Sequence, residues 1–183
     1  MRVITGTAGG ICLKAPNGLQ TRPTADKVKQ ALFNIIQFEI VGDVLDLFAG
    51  SGQLGIEALS RGALSAVFVD ASKESIAVIR ENLRRTHFAE KAEILQTDYE
   101  NFLKRCRKRF HLVFLDPPYA EKYLENAIKS ISEIDILEEN GIIITERPLG
   151  KPLDVHMNGF VRSKDYNYGK TTITLFRREK EPI

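Results

Sequence analysis

Asp116, Pro117, Pro118 and Tyr119 follow directly on Phe110-His111-Leu112-Val113-Phe114-Leu115, an apolar run of strand length. Two successive prolines continue neither a strand ladder nor a helix, so the backbone breaks rigidly there. Pro118 also keeps Pro117 extended, which fixes the direction of the Pro117 carbonyl. An acid, a stiff carbonyl and an aromatic face thus stand at the carboxyl end of a strand, the edge at which open α/β sheets hold ligands. Such a set suits a flat heterocycle bearing an exocyclic amine. The Asp116 carboxylate and the Pro117 carbonyl each accept one N–H, and the Tyr119 ring stacks on the base, a contact worth roughly 1–3 kcal/mol. Acceptors lying out of the ring plane draw the amine nitrogen toward tetrahedral geometry and free its lone pair. They also stabilise the positive charge that develops there during group transfer.

A second constellation closes an earlier strand: Asp46-Leu47-Phe48-Ala49-Gly50-Ser51-Gly52-Gln53-Leu54-Gly55. Gly50, Gly52 and Gly55 have the G-x-G-x-x-G spacing, and Asp70 ends the next strand, the arrangement of a dinucleotide site. Two details favour S-adenosylmethionine. Asp46 would repel a pyrophosphate but attract the cationic amino group of a methionine moiety. The turn through Phe48, Ala49, Gly50, Ser51 and Gly52 is also longer than the tight glycine turn that cradles pyrophosphate. Asp70 then accepts from both ribose hydroxyls, each charge-assisted bond contributing about 1.5–3 kcal/mol. Asp98 fits two roles, an acceptor for the adenine amine or the N-cap of a helix, and Ala71 or Tyr99 offers an apolar face to adenine. Asp46, Asp70, Asp98 and Asp116 stand at the carboxyl ends of four strands, where unliganded burial would be costly.

The elements that position these residues alternate. Strands are expected at Val44 to Phe48, Ala66 to Val69, Ala92 to Gln96, Phe110 to Leu115 and Gly141 to Thr145. Helices separate them, from about Gln53 to Arg61, Lys73 to Arg85, Tyr99 to Arg105 and Tyr123 to Ser132. This is the pattern of a parallel sheet with helices on both faces. Gly159 to Tyr166 and Thr171 to Phe176 are joined too closely for a crossover and require an antiparallel hairpin, giving seven strands in all. Upstream, Thr24 is expected to cap a helix reaching about Phe38. Arg2 to Thr5 and Ile11 to Ala15 read as a small β-hairpin. Residues 1–20 thus form an N-terminal hairpin extension and 21–183 one α/β domain.

A length of 183 residues suits a single core, and 43% hydrophobic with 27% charged residues excludes a disordered chain. The longest apolar runs fall short of a membrane span. Met1-Arg2-Val3-Ile4-Thr5 lacks a signal-peptide pattern, and isolated Cys12 and Cys106 suit a reducing cytoplasm. With His87, His111 and His156 scattered, no metal is expected. A net charge of +2 is compatible with nucleic acid without requiring it.

The chain resembles the RsmD-type methyltransferases, which modify the exocyclic N2 of a guanine in small-subunit (16S) ribosomal RNA. The likeness covers Arg2-Val3-Ile4-Thr5-Gly6, Thr21-Arg22-Pro23-Thr24, Asp26-Lys27-Val28, Ala31-Leu32-Phe33-Asn34, Asp46 to Gly52, Asp116 to Tyr119 and Tyr168-Gly169-Lys170-Thr171. Asp-Pro-Pro-Tyr alone marks the wider class of amino-methyltransferases, whereas Thr-Arg-Pro-Thr is the specific signal. The resemblance implies a Rossmann-like class I fold, S-adenosylmethionine as methyl donor, and RNA of the small subunit as partner. It also implies cofactor contacts at Asp46, Gly50, Gly52, Asp70 and Asp98, with Asp116, Pro117 and Tyr119 around the amine. Related chains carry Lys and Arg in the first hairpin turn, whereas here it reads Gly6-Thr7-Ala8-Gly9-Gly10-Ile11-Cys12. RNA contacts therefore fall to Lys14, Arg22, Lys27, Arg147, Tyr168 and Lys170. The basic run Lys104 to Arg109 precedes a strand and belongs at the opposite edge of the sheet. A monomer is expected. Rival readings are a DNA adenine or cytosine amino-methyltransferase, a protein glutamine methyltransferase, and a non-enzymatic RNA-binding module.

Overall fold

The computed structural model describes residues 1–16, 23–118, 122–153, 155 and 159–179. Five parallel strands, β1 (Asp43–Asp46), β2 (Ser65–Asp70), β3 (Ala92–Gln96), β4 (Phe110–Leu115) and β5 (Leu137–Pro148), continue into antiparallel β8 (Thr171–Arg178). The order is β3-β2-β1-β4-β5-β8-β6, where β6 is Phe160–Arg162. The helices are α1 (Pro23–Ile35), α2 (Gln53–Ser60), α3 (Lys73–Thr86), α4 (Tyr99–Arg105) and α5 (Tyr123–Ile134). This is the Rossmann-like methyltransferase architecture.

Strand alternation divides the core into two layers. Leu112 and Phe114 of β4 face one layer with Leu32, Phe33, Ile56 and Ile79. Val113 and Leu115 face the other with Leu103, Ile128 and Ile131. Because helices cover both faces, all six residues of β4 are buried, which explains why five of them are apolar. Burial contributes about 1.5–3 kcal/mol for each such large side chain.

Several boundaries differ from expectation; β1, for one, ends at Asp46 where Phe48 was expected. Helix α1 starts at Pro23 and ends at Ile35; proline suits a first helical turn, where its missing N–H has no partner to lose. Strand β5 extends from Leu137 to Pro148, with a register shift opposite Phe110 and Leu112. The expected strand from Gly159 to Tyr166 is divided into β6 and β7 (Tyr166–Tyr168), both antiparallel to β8. Arg162 faces Phe176 and Tyr166 faces Ile173, so one extra residue bulges out and β6 with β7 acts as a single seventh strand. The first hairpin is reduced to one bridge, Arg2 with Cys12.

That N-terminal segment is fastened to the domain by buried polar groups. Glu57 of α2, wholly buried, accepts from Ile4 N at 2.7 Å, Thr5 N at 3.1 Å and Arg61 Nε at 2.8 Å. Lys29 Nζ lies 3.9 Å from Glu57 and donates to Arg2 O at 2.7 Å. Asn82 of α3 donates to Lys14 O at 3.0 Å and to Ser51 O at 2.9 Å, tying the segment to the glycine turn.

Candidate active site

The strand order reverses between β1 and β4, the switch point at which α/β sheets open a crevice. The glycine turn leaves β1 and the double-proline corner leaves β4, so both corners lie on one lip. Leu47 N donates to Phe114 O at 3.2 Å and Ala49 N to Val69 O at 3.0 Å, which keeps the turn in register with both neighbours. Asp46 and Asp70 close β1 and β2, Asp116 follows β4 directly, and Asp98 lies two residues past the end of β3.

On the glycine side, Asp46 Oδ2 accepts from Gly55 N at 3.1 Å. Burial raises the Asp46 carboxyl to about 7, against the stabilising Gly55 N–H and with help from the charge of Asp70. Asp70 Oδ2 accepts from Gly50 N and Oδ1 from Ser72 N, both at 2.8 Å, so its plane is set by the loop it supports. Gly50 has φ +55°, and a Cβ there would point into open space. Gly55 has a different reason to be glycine: a Cβ would lie 2.4 Å from the Phe68 ring, so its absence lets α2 pack against β2. Gln53, at the start of α2, has a buried Oε1 with no protein partner, a signal that sequence reading passed over.

An open cradle beside Gly50, two shaped carboxylates and an orphaned acceptor fit a ligand rich in donors and cationic at one end. Those are the properties of S-adenosylmethionine. Ser51, Gly52 and Ala49 are buried in the turn and Phe48 is half-buried at its edge. Asp98 is exposed and caps α4, accepting from Asn101 N at 2.8 Å and Asn101 Nδ2 at 2.6 Å, with the backbone bond the main cause of its lowered pKa. Ala71 is exposed at the lip. Tyr99 is buried, its ring packed 5.2 Å from Phe48 and 5.8 Å from Tyr123.

On the proline side, Asp116 is half-buried, Pro117 buried and Pro118 exposed, while Tyr119 lies outside the described residues. Burial raises the Asp116 carboxyl well above the carboxylate range, and the negative charges of Glu146 and then Asp46 push it further. Glu146 was not expected here, because the sequence places the end of β5 at Thr145. The register pairs Leu115 with Thr145, so Asp116 and Glu146 are the next residues along neighbouring strands. A cleft of about 160 Å³ opens beside them, lined by Pro117, Pro118, Leu124, Glu125, Glu146 and Lys151 among others. No group of three or more His, Cys, Asp or Glu suited to a metal occurs among the described residues.

The basic residues separate clearly. Arg147, expected as an exposed cation, is 5% exposed and donates to Lys151 O, Thr174 Oγ1 and Asp165 Oδ2, so it braces the β5–β8 frame beside the cleft it helps to line. Lys170 is exposed in the two-residue turn between Tyr168 and Thr171, and its carbonyl accepts from Leu149 N at 2.8 Å, beside the cleft. Tyr168 is half-buried in β7. Lys14 is exposed next to the Asn82–Ser51 link, with Glu81 3.5 Å away, and Lys27 is exposed on α1. Arg22 lies outside the described residues. Lys108 pairs with Asp43 and Arg109 with Asp135, at the amino-terminal edge expected for that basic run.

A family model described as "Conserved hypothetical protein 95" matches residues 1–177. YlbH of Bacillus subtilis (strain 168), named as a candidate rRNA methyltransferase, is 40% identical over 182 residues, covering 97% of this chain and 99% of that protein. Ribosomal RNA small subunit methyltransferase D of Escherichia coli (strain K12) is 30% identical over 182 residues, covering 99% and 91%. Among solved structures, yhhF from Escherichia coli, described as a candidate methyltransferase, superposes with a TM-score of 0.87 at 32% identity, covering 98% of each chain.

Proposed function

The chain belongs to the family of Conserved hypothetical protein 95, the RsmD methyltransferases, and from that premise we propose that it methylates the exocyclic N2 of a guanine in small-subunit (16S) ribosomal RNA. The observation that carries this reading is the meeting of the glycine turn and the Asp116–Pro117 corner at the β1–β4 switch point. Asp46, the Gly50 turn and Asp70 are the residues that would hold S-adenosylmethionine, which when bound supplies an electrophilic methyl group.

The remaining chemistry belongs to the protein. Asp116 and the Pro117 carbonyl accept the two N–H groups of a base flipped from its stack. Their acceptance localises the amine lone pair and favours the positive charge that grows on nitrogen. Pro117, Pro118 and Leu124 give the cleft beside the amine an apolar wall. Asp116, already prone to hold a proton, takes one readily from the methylated amine, as does bulk water. Lys170 and Lys14 flank the lip and bind phosphate, so affinity for RNA falls steeply with added salt.

The test is mass mapping of 16S ribosomal RNA from cells with and without the gene. One monomethylated guanine should revert to guanine in its absence; an unchanged map counts against the substrate. Labelled S-adenosylmethionine offered with small subunits, DNA or release factor separates the rivals, and label on DNA or protein would replace the RNA reading.

A further inference from the structure

We infer that Glu146 reads the N1–H of the target guanine and so selects that base over adenine and cytosine; the inference rests on the guanine reading above. Strand β5 runs past Thr145 to Pro148, which carries Glu146 to the same lip as Asp116. Side chains alternate along a strand, so Glu146 shares a face with Ile144. Ile144 packs in the same layer as Phe114, two residues before Asp116, and as Val44, two residues before Asp46. Asp46 and Glu146 thus lie on one face of the sheet, Asp116 leaves β4 between them within reach of both charges, and Glu146 also lines the cleft walled by Pro117 and Pro118.

Base chemistry explains why a second carboxylate belongs there. In guanine the reacting amine has a ring N–H as its immediate neighbour, so N2 and N1 present adjacent donors. The amine of adenine stands beside N1 and that of cytosine beside N3, both lone pairs. Two neighbouring carboxylates therefore match guanine and repel the other two bases at the ring position. The same cleft carries Lys151, a cation of the sign that O6, the third atom of that edge, accepts from. Burial first, and then the neighbouring charge of Glu146, raises the Asp116 carboxyl in the free protein, and a donor edge relieves the repulsion between the two acids. A site built to pair with a donor rejects an analogue lacking it far more strongly than a hydrophobic pocket rejects a missing methylene.

The experiment uses small subunits reconstituted with 16S ribosomal RNA bearing either guanine or 2-aminopurine at the modified position. 2-Aminopurine keeps the 2-amine but presents a lone pair at N1. Wild-type protein should favour guanine by on the order of a hundredfold or more in kcat/KM. Glu146→Gln, whose amide donates to N1, should lower that ratio at least about tenfold, and Glu146→Ala should depress guanine methylation and lower the ratio as well, what remains of it reflecting the O6 that 2-aminopurine also lacks. Cofactor affinity by calorimetry should be unchanged in both variants, which verifies folding. An equal rate on both bases by wild-type protein, or an unchanged ratio in both variants, overturns the role of Glu146. Failure of wild-type protein on guanine-bearing subunits overturns the function itself, and the Glu146 role with it.

Discussion

The two corners of the site are rigid for different reasons. The glycine turn is held from within, by Asp46 on Gly55, Asp70 on Gly50 and Ser72, and Asn82 on Ser51. The proline corner takes its stiffness from two pyrrolidine rings, which fix the backbone without engaging side chains. The contrast matches what each must meet. A small, invariant methyl donor is best served by loops whose carboxylates are already oriented. A base entering from a large folded RNA needs side chains still able to bind it. Mutations on the glycine side should therefore disturb stability and cofactor binding together, and those on the proline side turnover alone.

The largest effect is expected furthest from the chemistry. Glu57→Ala would leave buried Lys29 with Asp26, 3.9 Å away, in place of two carboxylates, and leave the N–H groups of Ile4 and Thr5 unpaired. Breaking one partner of a buried pair costs about 3–5 kcal/mol, to be read from denaturant unfolding. Burial already depresses the Lys29 pKa, with Glu57 opposing that shift, so the variant lysine should lose its proton and recover part of the loss at high pH. A loss below about 1 kcal/mol would show that the N-terminal segment is only loosely attached.

Next comes Asp116→Ala. Turnover should fall on the order of a hundredfold or more while cofactor affinity stays nearly intact. Equal losses in both would erase the distinction between the corners. Asn82→Ala tests the opposite side: Lys14 O and Ser51 O lose a donor and Lys14 N an acceptor, costing about 1–3 kcal/mol. Because Ser51 belongs to the turn, cofactor affinity should weaken along with stability. Calorimetry showing weaker stability at unaltered affinity would detach Asn82 from the site.

These predictions draw unevenly on what could be read in the sequence. The alternating elements and the four strand-end acids were legible because period-2 and apolar-run signals are local. The shared lip of the two corners followed from them, since parallel strands put every carboxyl end on one side. Glu146 was hidden because Leu137-Glu138-Glu139-Asn140-Gly141 looks like a loop and Arg147-Pro148 like a strand end; pairing with β4 and β8 decides the strand instead. Arg147 looked like an exposed cation because its carboxylate partner, Asp165, reaches it only through the bulge between β6 and β7. Glu57 carries no local signal of its burial, since the Ile4 and Thr5 N–H groups it accepts from lie more than fifty residues away in the chain.

The mildest effect separates the corners by pH. Asp46 ionises in the folded protein only near pH 7, whereas in the unfolded chain it would do so near 3.8. Between those values the folded state holds a proton that the unfolded state has released, so this residue lowers stability as pH rises and adds no further change above about 7. A cationic ligand favours the ionised form, so affinity for S-adenosylmethionine should climb about tenfold from pH 6 to pH 8, with proton release on binding. In Asp46→Asn both trends should flatten, and Asp116→Ala should leave most of the affinity rise in place. Calorimetry in buffers of different ionisation enthalpy measures the proton directly. A wild-type affinity that stays level across pH 7 would mean that Asp46 never meets the cationic end, leaving Asp70 and the Gly50 turn to hold the cofactor without it.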